Sequence, residues 1–169
     1  GEADTEVEVL ESTADISLIT GFFVRNSRTI RIGTELIEFD GISKAAPYKF
    51  TGLKRGANGT KASAHTVNEK AFHLREMFGR FAPGVETPLF SEIAGRTAEI
   101  VEQANFDGIY FDAIDGSDIL AGPENFWYYG GKFVFEVAKN LERPVGMEMS
   151  SMIHHWWHYR SRWQAWDRP

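Results

Sequence analysis

Two carboxylates stand at matching places in this chain. Asp112 closes the apolar run Asp107-Gly-Ile-Tyr-Phe-Asp112, and Glu148 lies near the end of Pro144-Val-Gly-Met-Glu-Met149. Each run reads as a short buried strand that delivers a carboxylate at its carboxyl end. A pair of carboxylates flanking a glycosidic bond can divide the work of hydrolysis. One attacks or stabilises the anomeric carbon, and the other protonates the leaving oxygen.

The elements that must hold this pair follow from periodicity. Pro123 to Leu141 reads as a helix, with Phe126, Gly130, Phe133, Val134, Val137 and Leu141 on one stripe. Strand, helix and strand form a βαβ unit, whose strands pair in parallel. Neighbouring strands lie about 4.8 Å apart. Asp112 and Glu148 are therefore expected side by side at the carboxyl edge, where α/β folds carry their sites. Alternation agrees. Ile109 and Phe111 share the face that the helix must cover, as do Val145, Met147 and Met149; Tyr110, Asp112, Gly146 and Glu148 face away. Side-by-side placement suits the roughly 5–5.5 Å separation of retaining glycosidases.

The segment Gly108-Ile-Tyr-Phe-Asp-Ala113, followed by a Glu on the next strand, resembles the fourth and fifth strands of retaining (β/α)8 glycoside hydrolases of the α-amylase and α-galactosidase type. The resemblance spans roughly residues 105–150. It implies Asp112 as nucleophile and Glu148 as acid/base. Tyr110 stands where α-amylases carry an arginine, a departure from that family's pattern.

Tyr110 and several further residues are candidates for substrate contact. Asp115 and Asp118 lie in a loop with Gly116, but the twelve-residue calcium loop is absent. Asp115 reads as a ligand for a sugar hydroxyl or as a loop anchor. All five tryptophans follow residue 126. Trp156 and Trp157, with His154, Arg160, Arg162 and Asp167, form an aromatic and charged stretch suited to a carbohydrate cleft, because rings stack on the apolar faces of sugars. His154 and His158 have helical spacing but lack the glutamate of a zinc-protease motif. No residue set requires a metal or another cofactor.

Residues before about 78 are β-rich. Ile16–Val24 is an apolar run of strand type. Thr29–Ile32 and Glu35–Phe39 flank Gly33-Thr34 as a hairpin. Tyr48–Leu53 and Lys70–Leu74 read as further strands. Arg55-Gly-Ala-Asn-Gly-Thr60, with the run continuing to His65, is a glycine turn that resembles a motif of phage tail and baseplate β modules; it lacks the ending of a phosphate loop. Further on, Thr87 caps a helix that has Pro88 at its first position and Ile93, Thr97, Ile100, Val101 and Ala104 on one face. Residues Ile153 to Trp166 read as a last helix.

The expectation is an α/β chain: a partial (β/α) TIM-type barrel over 79–169, preceded by an antiparallel β-rich segment or insertion over 1–78. A full barrel takes about 250 residues, so the 169 residues read as a piece of a longer protein. A net charge of -6 argues against nucleic acid as the main partner. No apolar run reaches the roughly 18 residues of a membrane span. The expected partners are a carbohydrate and, because an open barrel leaves sheet edges and apolar surface uncovered, further copies of the chain. A secreted or periplasmic parent fits a polysaccharide substrate. The function expected is glycoside hydrolysis by two carboxylates. The alternatives are a non-catalytic carbohydrate-binding or structural module, and a phage- or particle-associated β module.

Overall fold

The computed structural model describes residues 3–120, 122–150 and 157–159. It is mixed α/β and divides into two compact units, 1–81 and 82–169. No helix among the described residues is long and apolar enough to cross a membrane.

The N-terminal unit is built from small antiparallel pairings. Its strands are β1 (Glu6–Val9), β2 (Thr29–Ile32), β3 (Glu35–Glu38), β4 (Gly41–Ile42), β5 (Tyr48–Thr51), β6 (Ala71–His73), β7 (Glu76–Met77) and β8 (Arg80–Phe81). One sheet has the order β1-β5-β4, another β3-β2-β6, and β7 pairs with β8. The β2–β3 hairpin turns at Gly33, whose φ of 55° a side chain would resist. Period-two alternation sends Ile30, Ile32, Ile37 and Phe39 inward, where they pack with Phe50.

The segment Ile16–Val24 is not a strand. The Asn26 amide donates to the carbonyls of Ser17 (2.7 Å) and Ile19 (3.1 Å), and Val24 N–H bonds back to Gly21. Local bonds thus take up carbonyls that a ladder would use. Leu18, Ile19, Phe22 and Phe23 are left exposed.

The C-terminal unit runs α1 (Pro88–Gln103), β9 (Gly108–Phe111), a 3-10 segment (Ile114–Leu120), α2 (Phe126–Asn140) and β10 (Gly146–Met149). The strands are adjacent and parallel. Ile109, Phe111, Met147 and Met149 pack with Ala94, Ala98, Val134 and Val137 of the helices. The α2 stripe matches the expected one. The α1 stripe does not: Phe90, Ala94, Ala98 and Val101 are buried, while Ile93 and Ile100 are 37% and 48% exposed. Two alanines let α1 approach closely, and Phe90 meets Phe133 edge-on at 5.6 Å. Close approach, rather than side-chain bulk, selects the buried face. Thr87 occupies the N-cap position but caps nothing with its hydroxyl, which donates to Gly84 O at 2.6 Å instead.

At the amino ends of the strands, Arg143 ties the unit together. Its guanidinium reaches Glu102 and Asp107, each at 3.3 Å, and donates to Phe106 O at 2.7 Å.

Candidate active site

The face of the β9–β10 pair away from the helix-packed core carries three rungs. Gly108 pairs with Gly146 and Tyr110 with Glu148; the next step brings Asp112 level with Ser150, whose N–H bonds to Phe111 O at 3.1 Å. The expectation of parallel neighbours with both carboxylates on one face holds. The expected side-by-side placement does not. Glu148 lies beside Tyr110, and Asp112 is one rung further along. Combining strand spacing with the rise of two residues, their Cα atoms are about 8 Å apart. How the side chains lean then sets the distance between the carboxyl groups.

Asp112 sits where the chain leaves the strand. Ala113 takes φ 52°, unusual for a residue with a Cβ, and its N–H donates to Asp112 Oδ1 at 2.9 Å. Ser150 Oγ accepts from Ile114 N–H at 3.3 Å, joining the loop after β9 to the end of β10. Sequence reasoning passed over Ser150, although its parity with Glu148 was available.

Tyr110 lies opposite Glu148 and two residues before Asp112. Loss of hydration raises its phenol above the ordinary value. The charge of Asp112, a hydrogen bond to that carboxylate and the charge of Glu148 act in the same direction.

The 3-10 segment after Asp112 is held from behind. Ser117 Oγ donates to Phe126 O at 2.9 Å, and α2 lies so close that a Cβ on Gly130 would meet Ile114 Cγ1 at 3.0 Å. Asp115 is exposed on this segment, and Asp118 is buried. Among the described residues no group of three or more His, Asp or Glu side chains is arranged to hold a metal ion.

Aromatic side chains stand near the same edge, because the helix that follows a parallel strand starts at its carboxyl end. Trp127 and Tyr128 of the first turn of α2 are exposed and meet edge-on at 5.9 Å. Trp157 is 77% exposed, and Tyr159 packs on Phe135 at 5.1 Å. His154, Trp156, Arg160, Arg162 and Asp167 lie outside the described residues, as does most of the helix expected there.

The N-terminal unit holds a separate polar centre that the sequence reading missed. Glu35 is fully buried. Arg55 donates to both its oxygens (Nε to Oε1, 2.8 Å; Nη2 to Oε2, 2.7 Å), Gly56 N–H and Ser63 N–H donate at 2.9 and 3.1 Å, and His65 Nε2 lies 2.7 Å away. Burial alone would raise this carboxyl, but the bonds from Arg55, Gly56, His65 and Ser63 outweigh it and hold it at about 2. The Arg55–His65 run is thus a loop closed around a buried anion. The polar groups that bind Glu35 face inward. A cleft of about 330 Å³ in the same unit is lined by Arg28, Glu38, Asp40 and Glu76. Two of its acids are ion-paired, Asp40 with Arg28 at 3.8 Å and Glu38 with Lys54 at 3.0 Å.

No family of known proteins, no curated protein and no solved structure matches this chain.

Proposed function

We propose that the C-terminal unit is part of a (β/α) barrel of a glycoside hydrolase acting on an oligosaccharide or polysaccharide. The observation that carries this reading is the shared face of Tyr110, Asp112 and Glu148 at the carboxyl ends of adjacent parallel strands. Helices cover one side of the strand pair, and the other side is polar, as the wall of a site must be. In the mechanism, Asp112 attacks the anomeric carbon while Glu148 gives its proton to the departing oxygen. Water then enters with Glu148 taking its proton, and the bond to Asp112 breaks. Trp127, Tyr128 and Trp157 supply stacking surfaces for sugar rings. Self-association belongs to the same reading, with Leu89, Ile93 and Ile100 of α1 as its exposed apolar surface.

The second reading is a carbohydrate-binding module without catalysis, which the exposed aromatics equally serve. The test is hydrolysis of a panel of 4-nitrophenyl and natural glycosides by the chain and by Asp112→Asn. Loss of turnover with sugar binding retained supports the enzyme. Binding without turnover in either protein supports the module.

A further inference from the structure

The proposed reaction needs a carboxylate aimed at one carbon atom. Asp112 is exposed and lies where the backbone turns out of β9. A side chain in such a place keeps one direction only if the turn beneath it is held. Ala113 does not hold it alone: φ 52° costs a residue with a Cβ, and persists only where the surroundings impose it. Ile114 opens the 3-10 segment, and the N–H groups that open a helix have no partner inside it. Ser150 supplies one from the neighbouring strand, its Oγ accepting from Ile114 N–H at 3.3 Å. That oxygen arrives there because the ladder runs one step past β10. Ser150 N–H donates to Phe111 O at 3.1 Å, which sets Ser150 level with Asp112. Two bonds from one residue therefore bracket Asp112. One fixes the residue before it, and the other fixes the second residue after it. The carboxylate is tied to the same turn, Oδ1 accepting from Ala113 N–H at 2.9 Å.

We propose that Ser150 is the positioning residue of this site: its side-chain oxygen holds the turn that carries Asp112 and so aims the carboxylate at the anomeric carbon. This deepens the glycosidase reading above and rests on it. Ser150 makes and breaks no bond in the reaction. A hydroxyl suits the task. It is small enough for an edge that substrate must approach, and one lone pair takes the Ile114 N–H while its own proton stays available for a second bond. Alanine at this position removes the acceptor and leaves the Ile114 N–H to water. Threonine keeps the acceptor.

The experiment pairs kinetics with a direct view of the hydrogen bond. Turnover of 4-nitrophenyl α- and β-glycosides is measured for the chain, Ser150→Ala, Ser150→Thr and Asp112→Asn. In parallel, hydrogen exchange at the Ile114 amide is followed by NMR in the chain and in Ser150→Ala, with the Ile30 amide of the N-terminal unit as control. The expected result for Ser150→Ala is a loss in kcat on the order of 10- to 100-fold with KM little changed, since orientation rather than binding is lost. Ser150→Thr should restore most of that loss. Exchange at Ile114 should rise on the order of 5-fold in Ser150→Ala, as for the loss of one hydrogen bond, with Ile30 unmoved. An unchanged kcat in Ser150→Ala, a fall in kcat without faster exchange at Ile114, or no recovery in Ser150→Thr overturns this inference alone, provided Asp112→Asn is inactive. Full activity of Asp112→Asn, or no turnover by the chain on any glycoside, overturns the glycosidase reading and this inference with it.

Discussion

Glu148 stands directly across the parallel ladder from Tyr110, one rung behind Asp112. The two acids are therefore neighbours on a diagonal. A diagonal leaves the more advanced carboxylate, Asp112, at the outer edge, with Glu148 deeper along the strand. The roles proposed for them follow that order.

Loss of the proton donor should depend on the leaving group. For Glu148→Gln, turnover of natural glycosides should fall by on the order of 100-fold or more, as expected for a general acid. The 4-nitrophenyl substrates should lose much less in the glycosylation step, because their leaving group departs with little protonation. Single-turnover rates on both substrate types give the comparison. Equal losses would remove Glu148 from the donor role.

The buried Glu35 should make the N-terminal unit acid-sensitive. Its carboxyl lies at about 2 in the folded chain against 4.5 for the free group. A depressed folded value stabilises above the unfolded value, and that stability drains away as pH falls from about 4.5 toward 2. The shift corresponds to about 3 kcal/mol at neutral pH. Glu35→Gln should lose stability of that order at pH 7, and the difference from wild type should shrink as the pH drops through the window. Hydrogen exchange at the amides of Ile30 and Ile37 reads this unit directly, and a difference that stays constant with pH would sink the account.

Two helical glycines should respond with opposite signs. A Cβ at Gly130 would meet Ile114 Cγ1 at 3.0 Å, Ser117 Oγ at 3.2 Å and Ile114 O at 3.3 Å. Crowding of this kind costs about 1–3 kcal/mol, against about 1 kcal/mol regained from helix propensity. Gly130→Ala should therefore destabilise and disturb the loop after Asp112. A Cβ at Gly95 meets nothing within 4 Å, so Gly95→Ala should stabilise by up to about 1 kcal/mol. Thermal unfolding monitored by tryptophan fluorescence, all of it from residues after 126, checks both. A stabilising Gly130→Ala would contradict the packing described for α2.

Much of this molecule is legible along the chain because its information is local. Alternation in Gly108–Asp112 and Gly146–Met149, with a helical stripe between them, is enough to specify a parallel pair, its buried face and the polar face that carries Tyr110, Asp112 and Glu148. The β2–β3 hairpin is equally local, with Gly33 supplying the turn. Register is not local. It depends on which backbone groups of the two strands meet across the ladder, and it sets Glu148 opposite Tyr110. The buried face of α1 also escaped periodicity, since both candidate stripes are apolar and only the fit of Ala94 and Ala98 against the core separates them.

Glu35 marks the boundary between the two kinds of information. Its parity with Ile37 and Phe39 already put a carboxylate on the inward face of a strand, where an ionised group must find partners. The alternation determined that Glu35 is buried. Only the tertiary structure decided that Arg55, Gly56, Ser63 and His65, some 20 to 30 residues away, would close around it, because a carboxylate's partners are chosen by proximity in space rather than by spacing along the chain.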